Sequence, residues 1–140
     1  RNVFFVSGSV DALDREKIRE ISEKTNNAVI VASYGTFSTG INIKNLHNII
    51  FSSPSKSKIR VLQSIGRGLR LNDNKEMCKL FDIADDLTYK GKQNFTLRHF
   101  MERINIYNEE QFDYTIHRIN IWQYQKKIMK SSKRCTTIKD

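Results

Sequence analysis

Apolar residues in this chain gather into short uninterrupted runs, and between the runs they recur every third or fourth position. The first run, Val3 to Val6, stops at Ser7-Gly8-Ser9, after which Leu13, Ile18 and Ile21 fall at near-helical spacing. A short run rich in branched and aromatic residues suits a buried strand, and the 3.6-residue recurrence suits an amphipathic helix. Asp11, three residues ahead of Asp14, is placed to cap that helix, and the Asn26-Asn27 pair to end it. Ala28 to Ala32 predicts a second strand. A third, Asn48 to Phe51, runs into Ser52-Ser53-Pro54-Ser55 and then Ile59, Leu62 and Ile65 at helical offsets. Leu80 to Ala84 predicts a fourth strand, Leu97 to Tyr107 an amphipathic helix, and the alternation of Phe112, Tyr114 and Ile116 a strand at a sheet edge.

Strand and helix in alternation predict an α/β fold, a parallel sheet flanked by helices on both faces. Ligands of such open sheets bind beyond the C-terminal ends of the strands, so the informative loops are expected there. Composition shifts only after Ile121. From Trp122 onward six Lys or Arg face one acidic residue, which divides the chain into a domain over 1–121 and a basic tail or final helix over 122–140.

Twenty-four Lys and Arg against fifteen Asp and Glu give a net charge of +9, suited to a polyanionic partner, and nucleic acid is favoured over an anionic membrane. Apolar runs such as Ala28 to Ala32 fall far short of the roughly 20 residues that span a bilayer, and the expected location is the cytoplasm. A start at Arg1 that leads straight into an apolar run is expected of a fragment of something longer. Cys78 and Cys135 are expected as free thiols, and the scattered His47, His99 and His117 offer no metal-ligand spacing.

The segment with the most chemistry is Gln63-Ser64-Ile65-Gly66-Arg67-Gly68-Leu69-Arg70. Offsets of four and three put Gln63, Arg67 and Arg70 on one helical face, where two guanidinium forks match phosphate oxygens. Gly66 and Gly68 remove side chains around Arg67, so that another surface can come close. The residues from Val29 to Ile43 form an apolar strand followed by a stretch crowded with glycine and hydroxyl residues, which reads as a loop exposing backbone N–H groups. Asp82, Asp85 and Asp86 stand at a strand end and read as loop caps, or as facing a partner domain, in preference to a metal cluster.

The octet resembles motif VI of superfamily 2 helicases, Q-x-x-G-R-x-x-R, and Ser33-Tyr34-Gly35-Thr36-Phe37-Ser38-Thr39-Gly40-Ile41-Asn42 resembles their motif V. Within the family the wording is closest to the recombination branch. Ser64 departs from it, standing where many members carry arginine. The resemblance implies a C-terminal RecA-like motor domain, with Arg67 and Arg70 as arginine fingers at the γ-phosphate and with Gln63, Gly40 and Asn42 binding or coupling to ATP. Gly8, Ser9, Ser33, Tyr34 and Gly35 would contact the nucleic-acid backbone. It implies ATP with Mg2+ as cofactor, the Mg2+ held mainly by a first domain, since this chain carries neither G-x-x-x-x-G-K-[ST] nor an acidic D-E-x-[DH] motif. The implied partners are that N-terminal RecA-like domain and DNA, branched or single-stranded, with RNA as an alternative. The implied role is ATP-driven unwinding or remodelling of branched DNA in recombination, replication and repair, while the fragment alone is expected to be inactive. Two alternatives stay open, a non-catalytic nucleic-acid-binding module and a double-strand translocase.

Overall fold

The computed structural model describes residues 2–25, 27–40, 43–70 and 75–121, with 38–40 described by their main chain alone. The elements follow in the order β1 (Asn2–Val6), α1 (Ala12–Lys24), β2 (Ala28–Ala32), α2 (Tyr34–Gly40), β3 (Asn48–Phe51), α3 (Lys58–Gly68), β4 (Lys79–Asp82) and α4 (Phe95–Glu109). β1 pairs in parallel with β2, Phe4 opposite Ile30, and β3 pairs in parallel with β4, Ile49 opposite Leu80. The α/β class and the parallel pairing expected from the alternation are both present.

Each pair of strands is covered along one set of alternate side chains. Val6 and Ile43 form a core with Ile30 and Ala32, closed by Ile18 of α1 and Phe37 of α2. Ile49 and Phe51 form a second core with Val61 and Ile65 of α3 and Ile104, Ile106 and Tyr107 of α4. Leu46, on the connection between α2 and β3, packs against both. The other alternation is open: Val3 and Phe5 of β1 are 65% and 68% exposed, and Val29, Val31, Ile50 and Phe81 are also exposed. Among the described residues, then, Val3 and Phe5 in the first pair and Ile50 in the second are left uncovered.

Two elements differ from the sequence expectation. The stretch after Ala32 is a helix, α2, where its glycines and hydroxyls had read as a loop. Ser33 starts that helix, since its hydroxyl accepts from the Thr36 N–H at 3.3 Å and its carbonyl from the Phe37 N–H at 2.8 Å, the geometry of an N-cap. The alternation of Phe112, Tyr114 and Ile116 makes no strand. The chain turns at Gln111, whose φ is 55°, and the Phe112 N–H donates to the Tyr107 carbonyl at 2.9 Å. Phe112 and Tyr114 then pack around the Tyr107 ring with centroids 6.4 and 6.0 Å away, so the alternating aromatics cover a helix end. The expectations for Asn26, Asn42, Cys135 and the basic segment 122–140 fall outside the described residues.

Candidate functional site

Helix α3 buries Val61, Ser64, Ile65 and Gly68, a stripe at offsets of three, one and three. Gln63 and Arg67, with Arg70 just past the helix end, therefore fall on the opposite, outward side, as the offsets implied. Gln63 and Arg70 are exposed and Arg67 is half-buried. Partial burial first, and then the neighbouring charge of Arg70, hold the Arg67 guanidinium below its ordinary range. Two cations are thus held close enough to oppose each other, an arrangement that an anion between them would relieve.

Gly66 is open to solvent, and a methyl group there would meet nothing within 4 Å. Gly68 behaves differently from the expectation. A Cβ at Gly68 would stand 2.7 Å from Ile49 Cδ1 and 2.8 Å from Cys78 Sγ, so this glycine lets α3 press against its own sheet and does not admit an outside surface. Ile49 is the second residue of β3 and Cys78 directly precedes β4, which puts the exit of α3 toward the N-terminal edge of the strands. The arginine segment lies at that edge because α3 runs back along the strand it follows.

The buried ammonium of Lys75, 9% exposed, joins that exit to its surroundings. Its Nζ donates to the Gly68 carbonyl at 2.7 Å and to the Lys44 carbonyl at 3.3 Å. Cys78, alongside, has its thiol pushed up by burial, with the Lys75 charge opposing.

The C-terminal edge gathers the remaining candidates. Ser7-Gly8-Ser9 leaves β1 in a turn closed by the Val10 N–H on the Ser7 carbonyl at 3.2 Å, and the Ser7 and Ser9 hydroxyls share a 2.6 Å hydrogen bond. Gly8, Ser9, Ser33 and Gly35 are exposed there. Tyr34 is turned partly inward. It is half-buried, its hydroxyl donates to the Ser53 carbonyl at 3.1 Å, and its ring lies 5.2 Å from that of Phe51. Burial pushes its hydroxyl up to about 12. Gly40 ends α2.

The strongest polar network at this edge was not foreseen. Arg103 of α4, 0% exposed, makes a bidentate pair with Asp82 at the end of β4, Nε to Oδ2 at 2.7 Å and Nη2 to Oδ1 at 2.6 Å. Its third donor, Nη1, reaches the Ser55 carbonyl at 2.9 Å, and the Tyr107 hydroxyl donates to Asp82 at 2.8 Å. Burial works against the Arg103 charge, and Asp82 outweighs it to hold the guanidinium above its ordinary range. Burial, and then the Asp82 carboxylate, hold the Tyr107 hydroxyl far above its ordinary range. Asp86 caps a turn through the Thr88 hydroxyl and N–H, which lower its carboxyl, while the Asp85 carbonyl accepts from Asn94 and Thr96. Asp86 therefore caps the loop, whereas the Asp82 carboxylate serves a buried arginine and Asp85 contributes its main-chain carbonyl. The signal was there: Phe100, Arg103, Ile104 and Tyr107 share one helical phase, and a charge on a core-facing phase needs a partner.

The exit of the arginine-bearing helix thus stands at one edge of the strands and the strand-end loops at the other. The ATP-dependent DNA helicase uvsW of Enterobacteria phage T4 is 39% identical to this chain over 129 residues, covering 85% of the chain and 26% of that protein. The chain is related to the superfamily 2 helicases. The putative ATP-dependent helicase IRC3 of Saccharomyces cerevisiae is 30% identical over 82 residues, covering 59% of the chain and 12% of its own length. A crystal structure of the C-terminal part of the Fun30 ATPase domain superposes with a TM-score of 0.52 at 19% identity, over 77% of this chain and 40% of that one, a likeness of fold. No family model matches the sequence. The chain thus spans about a quarter of the length of its T4 helicase relative.

Ser64, the departure within motif VI, has a structural reason. Its side chain is fully buried against the sheet, and its hydroxyl donates to the Arg60 carbonyl at 2.7 Å, so an arginine at 64 would enter the core.

Proposed function

We propose that this chain is the second motor domain of an ATP-dependent superfamily 2 DNA helicase, completing an ATP site whose greater part lies on another domain. The observation that carries the reading is the outward side of α3, where Gln63, Arg67 and Arg70 stand together and the two arginine charges oppose each other. A triphosphate seated between the domains would relieve that repulsion. Arg67 and Arg70 would then stabilise the charge that builds on the γ-phosphoryl oxygens as it departs, an effect worth roughly 10³- to 10⁵-fold in related phosphoryl-transfer systems. Gln63 would position the nucleotide, and Gly40 with Asn42 would carry its state toward the strand-end loops.

The residues present fit ATP better than they fit its metal ion. Asp82 is committed to Arg103 and Asp86 to Thr88. Mg2+, which screens the phosphates and polarises the γ-phosphoryl group when bound, is therefore assigned to ligands on the first domain. At the opposite edge, Gly8, Ser9, Ser33 and Gly35 would meet the DNA backbone, with Tyr34 bracing them from within. The +9 charge supports a polyanionic partner, and the recombination-branch wording of motifs V and VI supports branched or single-stranded DNA in recombination, replication and repair. Closure on ATP and reopening after hydrolysis would move these loops along the strand.

Arg70→Ala in the full-length protein tests the reading. ATP hydrolysis is expected to fall by about 10³-fold or more with DNA affinity within a few-fold of the parent. Normal hydrolysis would overturn the motor role and leave a nucleic-acid-binding module.

A further inference from the structure

We propose that Lys75 is a positioning residue for the arginine pair, its ammonium fixing the direction in which Arg67 and Arg70 leave α3; this rests on the reading that those arginines meet a nucleotide phosphate. Lys75 is 9% exposed, and among the described residues its partners are two main-chain carbonyls, those of Gly68 and Lys44. A buried lysine carries a desolvation cost, so such a site stands only where donors are satisfied and the field is favourable. Two carbonyls among the described residues take donors of the Lys75 ammonium, and the field there is favourable. The Gly68 carbonyl is one of the last four of α3, which have no partner within the helix, and a cation at a helix C-terminus is electrostatically favoured.

Position makes this more than a helix cap. Gly68 follows Arg67 directly and precedes Arg70 by two residues, and it is the point at which α3 presses on Ile49 and Cys78. Lys44 lies two residues beyond Asn42, on the connection that leads out of α2. One ammonium therefore ties the exit of the arginine helix to the segment that follows motif V. Without it the Gly68 carbonyl would turn to water, and the last turn, with both guanidiniums, would be free to fray. Misplacing a catalytic group by about 1 Å costs on the order of 10²-fold in rate, with little change in ground-state binding.

Lys75→Met keeps the length of the side chain and removes its charge and donors. In the full-length protein it is expected to lower the kcat for ATP hydrolysis by roughly 10²-fold, with KM for ATP and DNA affinity within about threefold. Lys75→Arg, which keeps a cation and donors at this place, is expected to recover most of that loss. In an Arg67→Ala, Arg70→Ala background Lys75→Met is expected to add little to the loss of hydrolysis, because it acts through the arginines already removed. If Lys75→Met does not fold, Lys75→Gln is measured in its place. Unchanged kcat in the Lys75 variant beside a large loss in Arg67→Ala would overturn the proposal and leave the arginine reading standing. Full additivity of Lys75→Met in that arginine-free background would also overturn it, showing a general loss of structure. Normal hydrolysis by Arg67→Ala and Arg70→Ala would remove the reading itself, and the proposal with it.

Discussion

At the scale of single residues, buried charge separates what holds the domain from what acts. Arg103 is enclosed and fully matched, whereas Arg67 is held partly exposed beside another cation. Asp82→Asn keeps the shape of the acceptor and removes its charge. It is expected to destabilise the domain by about 3–5 kcal/mol in denaturant unfolding, because an enclosed guanidinium loses its counter-ion. A change under about 1 kcal/mol would show that water already compensates Arg103. Residue roles were unevenly legible. Gln63, Arg67 and Arg70 were readable because three positions over about two turns of a helix and its exit report a shared face through offset alone. Lys75 was not, since its partners Gly68 and Lys44 are seven and thirty-one positions away and nothing local marks them. Nor was the inward bond of Tyr34, since only the fold brings the Ser53 carbonyl to it.

Among the elements, strands β1 to β4 fall where uninterrupted apolar runs had placed them, to within two residues at any end. Helix α2 was invisible because Gly35, Gly40 and the β-branched Thr36 and Thr39 have poor helix propensity, and packing of Phe37 into the core overrides it. The packing of α3 against the sheet is set at Gly68. Gly68→Ala gains helix propensity worth about 1 kcal/mol, yet its methyl group must displace Ile49 and Cys78. The net expectation is a loss of about 1–3 kcal/mol in the unfolding free energy, with the ATPase of the full-length protein reduced as the helix exit shifts. A stabilised variant would show that Ile49 moves aside without cost.

For the molecule as a whole, the parallel pairing was legible from strand–helix alternation, but the side on which helices pack was not, because unbroken apolar runs look alike whether one face or two are covered. The open face with Val3, Phe5, Val29, Val31 and Ile50 carries an apolar surface against a net charge of +9. Repulsion between copies acts over about 10 Å at 0.1 M salt and over about 3 Å at 1 M. The 140-residue polypeptide is therefore expected to sediment as a monomer at low salt and to associate as salt rises, and Phe5→Ser should weaken that association. Salt-independent monodispersity with no binding of a hydrophobic dye would contradict it. The placement of arginines and strand-end loops at opposite edges also sets a gearing. Helix α3, eleven residues and so about 16 Å long, begins beside the loop held by Tyr34 and Arg103 and ends at Arg67. Pivoted at its start, a tilt of about 5° would sweep the far end through about 1.4 Å over that length, comparable to the misplacement that separates a reacting phosphate from an idle one. On the proposed reading, a lever of these proportions would turn a small tilt at its held end into a switch at the other.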